Sequence, residues 1–405
     1  MTNVAPARPR TARRAGAAQA LPLLAASTMP VLGSVLITPV LPQISDHFEG
    51  TPGASVLVPM IIAVPALMIA LFAPFAGQVA DRFARKSLLL LALCVYGVVG
   101  VAPAFLDDLT AILVSRALVG VCEAAIMTVA TALLVDYFPD EQRRNRYLGL
   151  QAVTTTIAAT AFIAVGGALG RDDWHTPFWV YAVGLLIALP VLVSPWEPDS
   201  EPGLSPRTTG GTPLPRVGWR RLALPLLVTL FGGTTFYVLI VEISYVVVDT
   251  GVDSKDTATI GAVAAVASLA TAVGGLTFRR VARHTPERLL PVAFGLQAVG
   301  MLVVWLAPGL SVVVVGAVIA SAGSGLLLPT MVVWVVASRP FAERGRVSGL
   351  WNAAFFGGQF LAPLVAAGLA SAVGGLAGAV GLIGAAALVV ALLLGRRARG
   401  TVGVR

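Results

Sequence analysis

Long apolar runs, parted by short polar stretches, divide the chain from end to end. Twelve of them are long enough for a helix of about 20 residues to cross a bilayer. They cover residues 21–42, 55–77, 87–105, 109–135, 147–169, 176–195, 222–248, 257–278, 289–307, 310–337, 347–371 and 373–394. Only Gly374-Gly375 marks the break between the last two. The pattern predicts an all-α membrane protein, and an even number of crossings puts both termini on one side. Residues 196–219 differ in kind, with Pro198, Pro202, Pro206, Pro213 and Pro215 among Ser, Thr, Gly and Glu. That composition predicts a linker without a core of its own. The expected organisation is a tail over 1–20, a six-helix bundle over 21–195, the linker over 196–219, a second bundle over 220–395, and a tail over 396–405.

Composition narrows the class. Hydrophobic residues make up 57% of the chain, charged residues only 12%, and mean hydropathy is +0.86. A soluble domain would carry about 25% charged residues, so a soluble enzyme is excluded. The 42 Gly and 27 Pro suit membrane helices, whose neighbours satisfy the backbone groups that Pro and Gly free. A sequence pI near 10.2 suggests nucleic acid, but the basic residues cluster between apolar runs, so the lipid bilayer is the expected partner. With the N-terminus inside, 25 of the 28 Arg and Lys fall on the inner side. Arg171 and Lys255 fall outside and Arg116 within a helix. That imbalance sets both termini in the cytoplasm. Arg8, Arg10, Arg13 and Arg14 resemble a signal-peptide start, but the following apolar run is too long for one that is cleaved. Cys94 and Cys122 lie inside apolar runs and read as packing residues. His47, His175 and His284 fall in loops, no metal-ligand spacing occurs, and no phosphate-binding Gly-rich loop is present. No metal, no cofactor, no enzymatic activity and no ATP-driven step are expected.

Between runs two and three lies a charged knot, Gly77-Gln78-Val79-Ala80-Asp81-Arg82-Phe83-Ala84-Arg85-Lys86. Nothing so polar stays in hydrocarbon, so a short loop on a membrane face is expected. Its counterpart in the second half is Gly275–His284, aligned without gaps, with Arg279 in place of Asp81. A second echo is Arg146-x-x-Gly149 against Arg346-x-x-Gly349. Two such halves, related by an axis along the membrane normal, suit alternating access. Gly-x-x-x-Asp-Arg-x-x-Arg-Lys resembles motif A of the major facilitator superfamily, which lies between helices two and three. The resemblance implies the major facilitator fold, with twelve transmembrane helices in two pseudo-symmetric six-helix halves. It also implies a conformational latch made of Gly77, Asp81, Arg82, Arg85 and Lys86. In the family the Asp meets the N-terminal end of helix eleven, where the helix dipole favours negative charge.

Three ionisable residues fall within the hydrocarbon: Arg116, Glu123 and Glu242. Each costs at least about 2.5–3.5 kcal/mol there, which makes each a functional candidate. Arg116 and Glu123 are seven residues apart, hence on one helix face and about 10 Å apart along the axis. Gly120 lies between them and is expected to leave a gap that a water, a proton or a substrate group could bridge. Arg116-x-x-x-Gly120 resembles motif B, a helix-four Arg associated in the superfamily with proton coupling in drug:proton antiporters. Arg116 could instead snorkel to the outer surface. Glu123, near the midplane, is read as the proton carrier and Arg116 as its electrostatic partner; the other reading is a permanently protonated Glu in a helix contact. Glu242 lies at nearly the depth of Arg116, and the two are expected to approach when the outer side is closed. Leu32-Gly33, five residues, then Pro39-Val40-Leu41-Pro42 resembles the helix-one motif of twelve-helix drug:proton antiporters, here through Gly33, Pro39 and Pro42. The antiporter motif on helix five, Gly-x-x-x-Gly-Pro-x-x-Gly-Gly, has no counterpart.

In the superfamily helices one, four, seven and ten line a central cavity. Candidates for it are Thr38, Gly120, Met127, Thr235, Tyr237, Ser324, Trp351, Asn352 and Gln359. Few charges among many aromatic and hydroxyl groups suit an amphipathic molecule. The resemblance thus implies proton-coupled efflux of drugs or metabolites by a monomer in the inner or plasma membrane. An uptake symporter or sugar exporter on the same fold is the first alternative, and a non-transporting membrane sensor the second.

Overall fold

A computed structural model describes residues 15–82, 84–194, 219–337, 339 and 341–400. Every regular element among them is helical. Twelve helices are long and apolar enough to cross a membrane. In chain order, spans one to six are Ala17–His47, Ala54–Ala73, Arg85–Phe105, Leu109–Tyr137, Glu141–Leu169 and Thr176–Val193. Spans seven to twelve are Leu222–Asp249, Thr257–Val281, Pro286–Trp305, Leu310–Val336, Arg346–Val373 and Leu376–Ala398. Each coincides with one of the twelve apolar runs. The protein is a multi-pass, all-α membrane protein.

The differences from the expected boundaries have local causes. The first helix begins at Ala17, so it takes in part of the expected 1–20 tail, and the last runs to Gly400, into the expected 396–405 tail. A helix also covers Trp219, the last position of the expected linker. The charged knot is not a loop. One helix runs from Ala54 to Arg82 and the next starts at Arg85, so helical backbone carries Gly77, Asp81 and Arg82 beyond span two. The side chains of Asp81 and Arg82, the surroundings of Gly77, and residues 1–14, 195–218 and 401–405 lie outside what is described.

Span one is broken where proline dictates. Its pieces are Ala17–Ala26, Met29–Val35, a 3-10 turn at Thr38–Val40, and Leu41–His47. Pro30, Pro39 and Pro42 each stand at the first turn of a piece, where a missing N–H costs nothing. The carbonyl four residues earlier, however, loses its donor. At the other joints, Asp108, Asp140 and Asp256 cap spans four, five and eight, accepting from the amides of Ala111, Arg143 and Thr259 at 2.7, 2.8 and 3.1 Å. Such caps satisfy amides at the helix start. Gly374 and Gly375, at φ +76° and +140°, make the left-handed turn between spans eleven and twelve, which a side chain would strain.

Spans two and eleven pack together, as do spans five and eight. Six helices' shift maps one pair onto the other, so the seam repeats the pseudo-symmetry of the halves. Gly167 and Gly261 let spans five and eight touch. A Cβ on Gly167 would stand 2.6 Å from the Thr257 carbonyl oxygen and 2.9 Å from the Gly261 Cα. Small residues that bring backbones together are the usual means of helix association in lipid, where burial alone supplies little drive.

Candidate functional site

The site is built on Glu123, midway along span four. The side chain is fully buried, and neither carboxylate oxygen has a hydrogen-bond partner among the described residues. Its carboxylate lies against Gly33 of span one, where a Cβ would occupy the space of the carboxylate itself. The glycine of the helix-one motif is thus a slot for the acid.

Three tyrosines, of six in the chain, surround that slot and grip the backbone of spans one and two. Tyr96 of span three donates to the Met29 carbonyl at 2.8 Å, and Tyr181 of span six to the Gly33 carbonyl at 3.4 Å. Tyr237, from span seven in the other half, donates towards the Ser34 and Ile62 carbonyls at 3.1 and 2.8 Å. All three rings are buried. Tyr96 and Tyr181 are tilted against each other at 5.4 Å. Gly100 makes room for this pair, since a Cβ there would lie 2.6 Å from Tyr181.

Arg116 is also fully buried, so it does not snorkel. It turns towards spans three and six. Nη2 donates to the Gly100 carbonyl at 2.9 Å and to Ser115 Oγ at 3.1 Å. The guanidinium lies 4.6 Å from the Tyr181 ring centre and 5.3 Å from that of Phe178, within cation–π range. Its Nη1 has no partner among the described residues. Arg116 and Glu123 form no direct ion pair among the described residues. The expected approach of Arg116 to Glu242 is not formed, because Arg116 faces the interior of its own half. Glu242 is instead buried on span seven, with Oε2 lacking a partner among the described residues, one turn from Tyr245.

Gly120 does not leave an open gap. A Cβ on it would lie 2.6 Å from Pro65 Cα, so the glycine serves the close contact of spans four and two. Thr235 and Ser324 are not free to meet a ligand either. Thr235 donates to Gln297 Oε1 at 3.0 Å and Gln297 Nε2 donates to Ser324 Oγ at 2.7 Å, in one buried network of the second half. Thr38 and Tyr237 belong to the seam between halves. Trp351, stacked on Phe355 at 5.2 Å, and Gln359 are buried. Met127 and Asn352 are half-buried, as is Ser34. The Trp351 indole N–H is buried and has no partner among the described residues.

Hydrogen bonds across the seam gather towards the face that carries Arg171 and Lys255, the charge-poor face. There Ser45 Oγ and Tyr245 OH are 2.9 Å apart, and Ser254 donates to Asp46 at 2.6 Å. Thr257 donates to the Gly167 carbonyl at 2.8 Å. Ser244 donates to the Thr38 carbonyl at 2.8 Å. Pro42, four residues on, cannot supply that carbonyl with an amide, and the carbonyl accepts from the Leu41 amide of the 3-10 turn as well as from Ser244. The bundle is closed at this face. At the opposite, charge-rich face, Arg85 forms an ion pair with Asp136 and Lys86 donates to the Leu192 carbonyl at 2.7 Å. Arg85 and Lys86, two of the three basic residues of the knot, thereby tie spans three, four and six together.

Sequence reasoning missed Tyr96, Tyr181, Ser244 and Gln297. The signal was available in part: Tyr is scarce here, and Tyr96 stands among Gly97 and Gly100 in an otherwise aliphatic run. Gln151 was missed too. It bridges spans one, four and five by donating to Ser27 at 2.7 Å and Thr131 at 3.0 Å.

The family model of the Major Facilitator Superfamily matches residues 23–253 and again 226–404. Among curated proteins, the tetracycline resistance protein, class B, of Escherichia coli is 29% identical over 160 residues, 40% of this chain and 39% of that protein. Quinolone resistance protein NorA of Staphylococcus aureus is 24% identical over 215 residues, 51% of this chain and 54% of that protein. The chain spans about half or less of the length of these relatives. Among solved structures, the nucleoside transporter NupG superposes with a TM-score of 0.73 at 11% identity, covering 92% of this chain and 98% of that one. A bacterial homologue of the lysosomal transporter Spinster, inward-facing and unoccupied, gives 0.68 at 20% identity, covering 95% and 96%. At such identities the likeness shows the fold.

Proposed function

The chain belongs to the Major Facilitator Superfamily, and from that premise we propose that it is a secondary transporter exporting small amphipathic molecules in exchange for protons. The observation that carries this reading is the buried Glu123 carboxyl, with no hydrogen-bond partner among the described residues, set where spans one and four meet, beside the Tyr237 contact from span seven. An intramembrane charge costs at least about 2.5–3.5 kcal/mol. A carboxyl held there can exchange its proton only as its surroundings change, which ties protonation to conformation. Arg116 supplies a fixed positive charge in the same cluster.

The proposed cycle runs as follows. With the charge-rich face in the cytoplasm, the closed charge-poor face is the outer one. Substrate enters from the cytoplasm past Met127, Ser34 and Asn352, Glu123 gives up its proton inward, and the outer seam opens. A proton from outside then neutralises Glu123, substrate leaves, and the seam closes again. The names of the tetracycline and quinolone resistance proteins support a drug-like substrate. Glu242, nearer the outer face, is placed as a second proton site on that route. No cofactor is needed, the chain acts as a monomer in the cytoplasmic membrane, and Asp81 and Arg82 complete the cytoplasmic latch with Gly77, Arg85 and Lys86.

The test is flux in proteoliposomes under pH gradients of either sign, with tetracycline, a fluoroquinolone and ethidium as solutes. Movement against the proton flow is the expected result. Solute moving with the protons would make this a symporter, the reading that span five, lacking the antiporter Gly-Pro motif, favours. No gradient-driven movement of any solute would defeat both.

A further inference from the structure

Between Glu123 and the charge-rich face, three spans meet around one amide. Gln151 of span five donates from Nε2 to Ser27 Oγ of span one at 2.7 Å and to Thr131 Oγ1 of span four at 3.0 Å. Ser27 spends its own proton on the Leu23 carbonyl at 2.8 Å, and Thr131 spends its own on the Met127 carbonyl at 2.9 Å. A hydroxyl has one proton to give, so towards Gln151 both can only accept. The amide is thereby fixed, with its NH2 group turned to the two hydroxyls and its oxygen turned away. Both amide protons are used, and no donor among the described residues reaches Oε1. The Thr155 hydroxyl, one turn on, bonds the backbone carbonyl of Gln151 at 3.0 Å, not the side chain. Gln151 is half-buried, and its oxygen is not sealed in the packing as the two Glu123 oxygens are. Glu123, Met127 and Thr131 follow one another at four-residue steps up one side of span four. Thr131 is therefore about 12 Å from Glu123 along the axis, beyond Met127. The Ser34 hydroxyl also gives its proton to its own span, to the Pro30 carbonyl at 2.7 Å, so it too is left as an acceptor.

We infer that Gln151 selects solutes on the inward route, its Oε1 accepting a hydrogen bond from an N–H or O–H group that the solute carries. The inference rests on the export reading above and narrows its substrate class. The preferred solute is amphipathic and carries at least one donor; one of similar shape and charge with no donor is disfavoured. A donor that leaves water for the bundle loses its partners, and an unmet donor is costly. Oε1 meets it. The oxygen is also set in advance by Ser27 and Thr131, so little side-chain freedom is lost when a solute binds. Glu123 cannot take this part, because its carboxylate is enclosed against Gly33. Recognition and proton carriage thus fall to different side chains about two turns of span four apart. A neutral amide accepts from a neutral or a cationic donor alike, so the solutes admitted share a donor and not a charge.

The experiment compares two aromatic monocations. Ethidium carries amino groups that donate; tetraphenylphosphonium has no N–H or O–H at all. Equilibrium binding of each to the purified protein in micelles, with no gradient imposed, gives a ratio of dissociation constants for every variant. Gln151→Met keeps the length of the side chain and removes the acceptor. It is expected to shift the ratio against ethidium by about twofold to tenfold, the size of one neutral hydrogen bond. Tetraphenylphosphonium should bind as before, which also shows that the variant is folded. Gln151→Glu keeps an oxygen acceptor and is expected to keep the preference for ethidium. A role in packing alone would weaken both cations alike and leave the ratio unchanged, which overturns the inference. So would a Gln151→Glu ratio that falls as far as that of Gln151→Met, or an unmodified protein that binds neither cation. Loss of gradient-driven transport in the unmodified protein is a separate result that removes the export reading; an unchanged ratio with transport intact overturns the Gln151 inference alone.

Discussion

Gly33→Ala is the sharpest perturbation of the acid slot. The added methyl would fall on the Glu123 carboxylate, with the carboxyl carbon 2.9 Å away. Glu123 is fully buried, so the carboxylate can yield only by turning within the packed interior. Over-packing of this kind costs about 1–3 kcal/mol. Gly33 sits within the helical piece Met29–Val35, where Ala is intrinsically better than Gly by about 0.5–1 kcal/mol. The sign should therefore depend on what stands at position 123. In the parent, the over-packing outweighs this gain and Gly33→Ala should destabilise, by up to about 2.5 kcal/mol net. In a Glu123→Ala background the slot is empty, and the same change should stabilise by about 0.5–1 kcal/mol. Unfolding in mixed micelles, followed by circular dichroism for the four variants, gives the coupling energy directly. An identical cost of Gly33→Ala in both backgrounds would show that the carboxylate does not occupy the glycine slot.

Other consequences are open to measurement. Arg116→Lys replaces a planar fork lying over Tyr181 and bonded to Gly100 with a point charge, and these groups are not interchangeable at such sites; gradient-driven transport should fall at least about tenfold while protein yield holds. Ser244→Ala removes the 2.8 Å bond to the Thr38 carbonyl and should shift the seam towards open by about 0.5–1.5 kcal/mol, read by thiol labelling of Glu49→Cys. On the charge-poor face, burial pushes the Asp173 carboxyl up, but hydrogen bonds from the His175 amide and ring outweigh it and hold it below the ordinary carboxylate range. A depressed carboxyl stabilises the fold above its unfolded value and loses that contribution as pH falls through the folded one. Acid unfolding below about pH 4 should therefore become less steep in Asp173→Asn; an unchanged slope would contradict it.

Much of the fold was legible because hydrocarbon leaves so little choice. Apolar length alone located all twelve spans, and the Arg and Lys imbalance supplied an expected orientation. What could not be read was direction around a helix. Arg116 and Glu123 share a face, but which neighbour that face meets depends on packing, so Arg116 was expected to look across the seam when it looks into its own half. Gly120 was expected to mark empty space, whereas glycine in a membrane helix more often marks a touching backbone, here that of Pro65. Thr235 and Ser324 offered hydroxyls suited to a ligand, and only the fold reveals that Gln297 already uses both. The charged knot looked too polar for a helix, yet a helix extending past the bilayer carries charge freely. The slot at Gly33 gives the helix-one pattern a physical meaning that spacing alone did not contain.

The central claim is that the Glu123 proton drives uphill movement, and the most direct measurement separates uphill from downhill transport in Glu123→Gln. In proteoliposomes, downhill exchange of a transported solute should persist in the variant, while accumulation driven by an imposed pH gradient should vanish. Accumulation equal to that of the unaltered protein, at equal reconstituted amounts, would contradict the account.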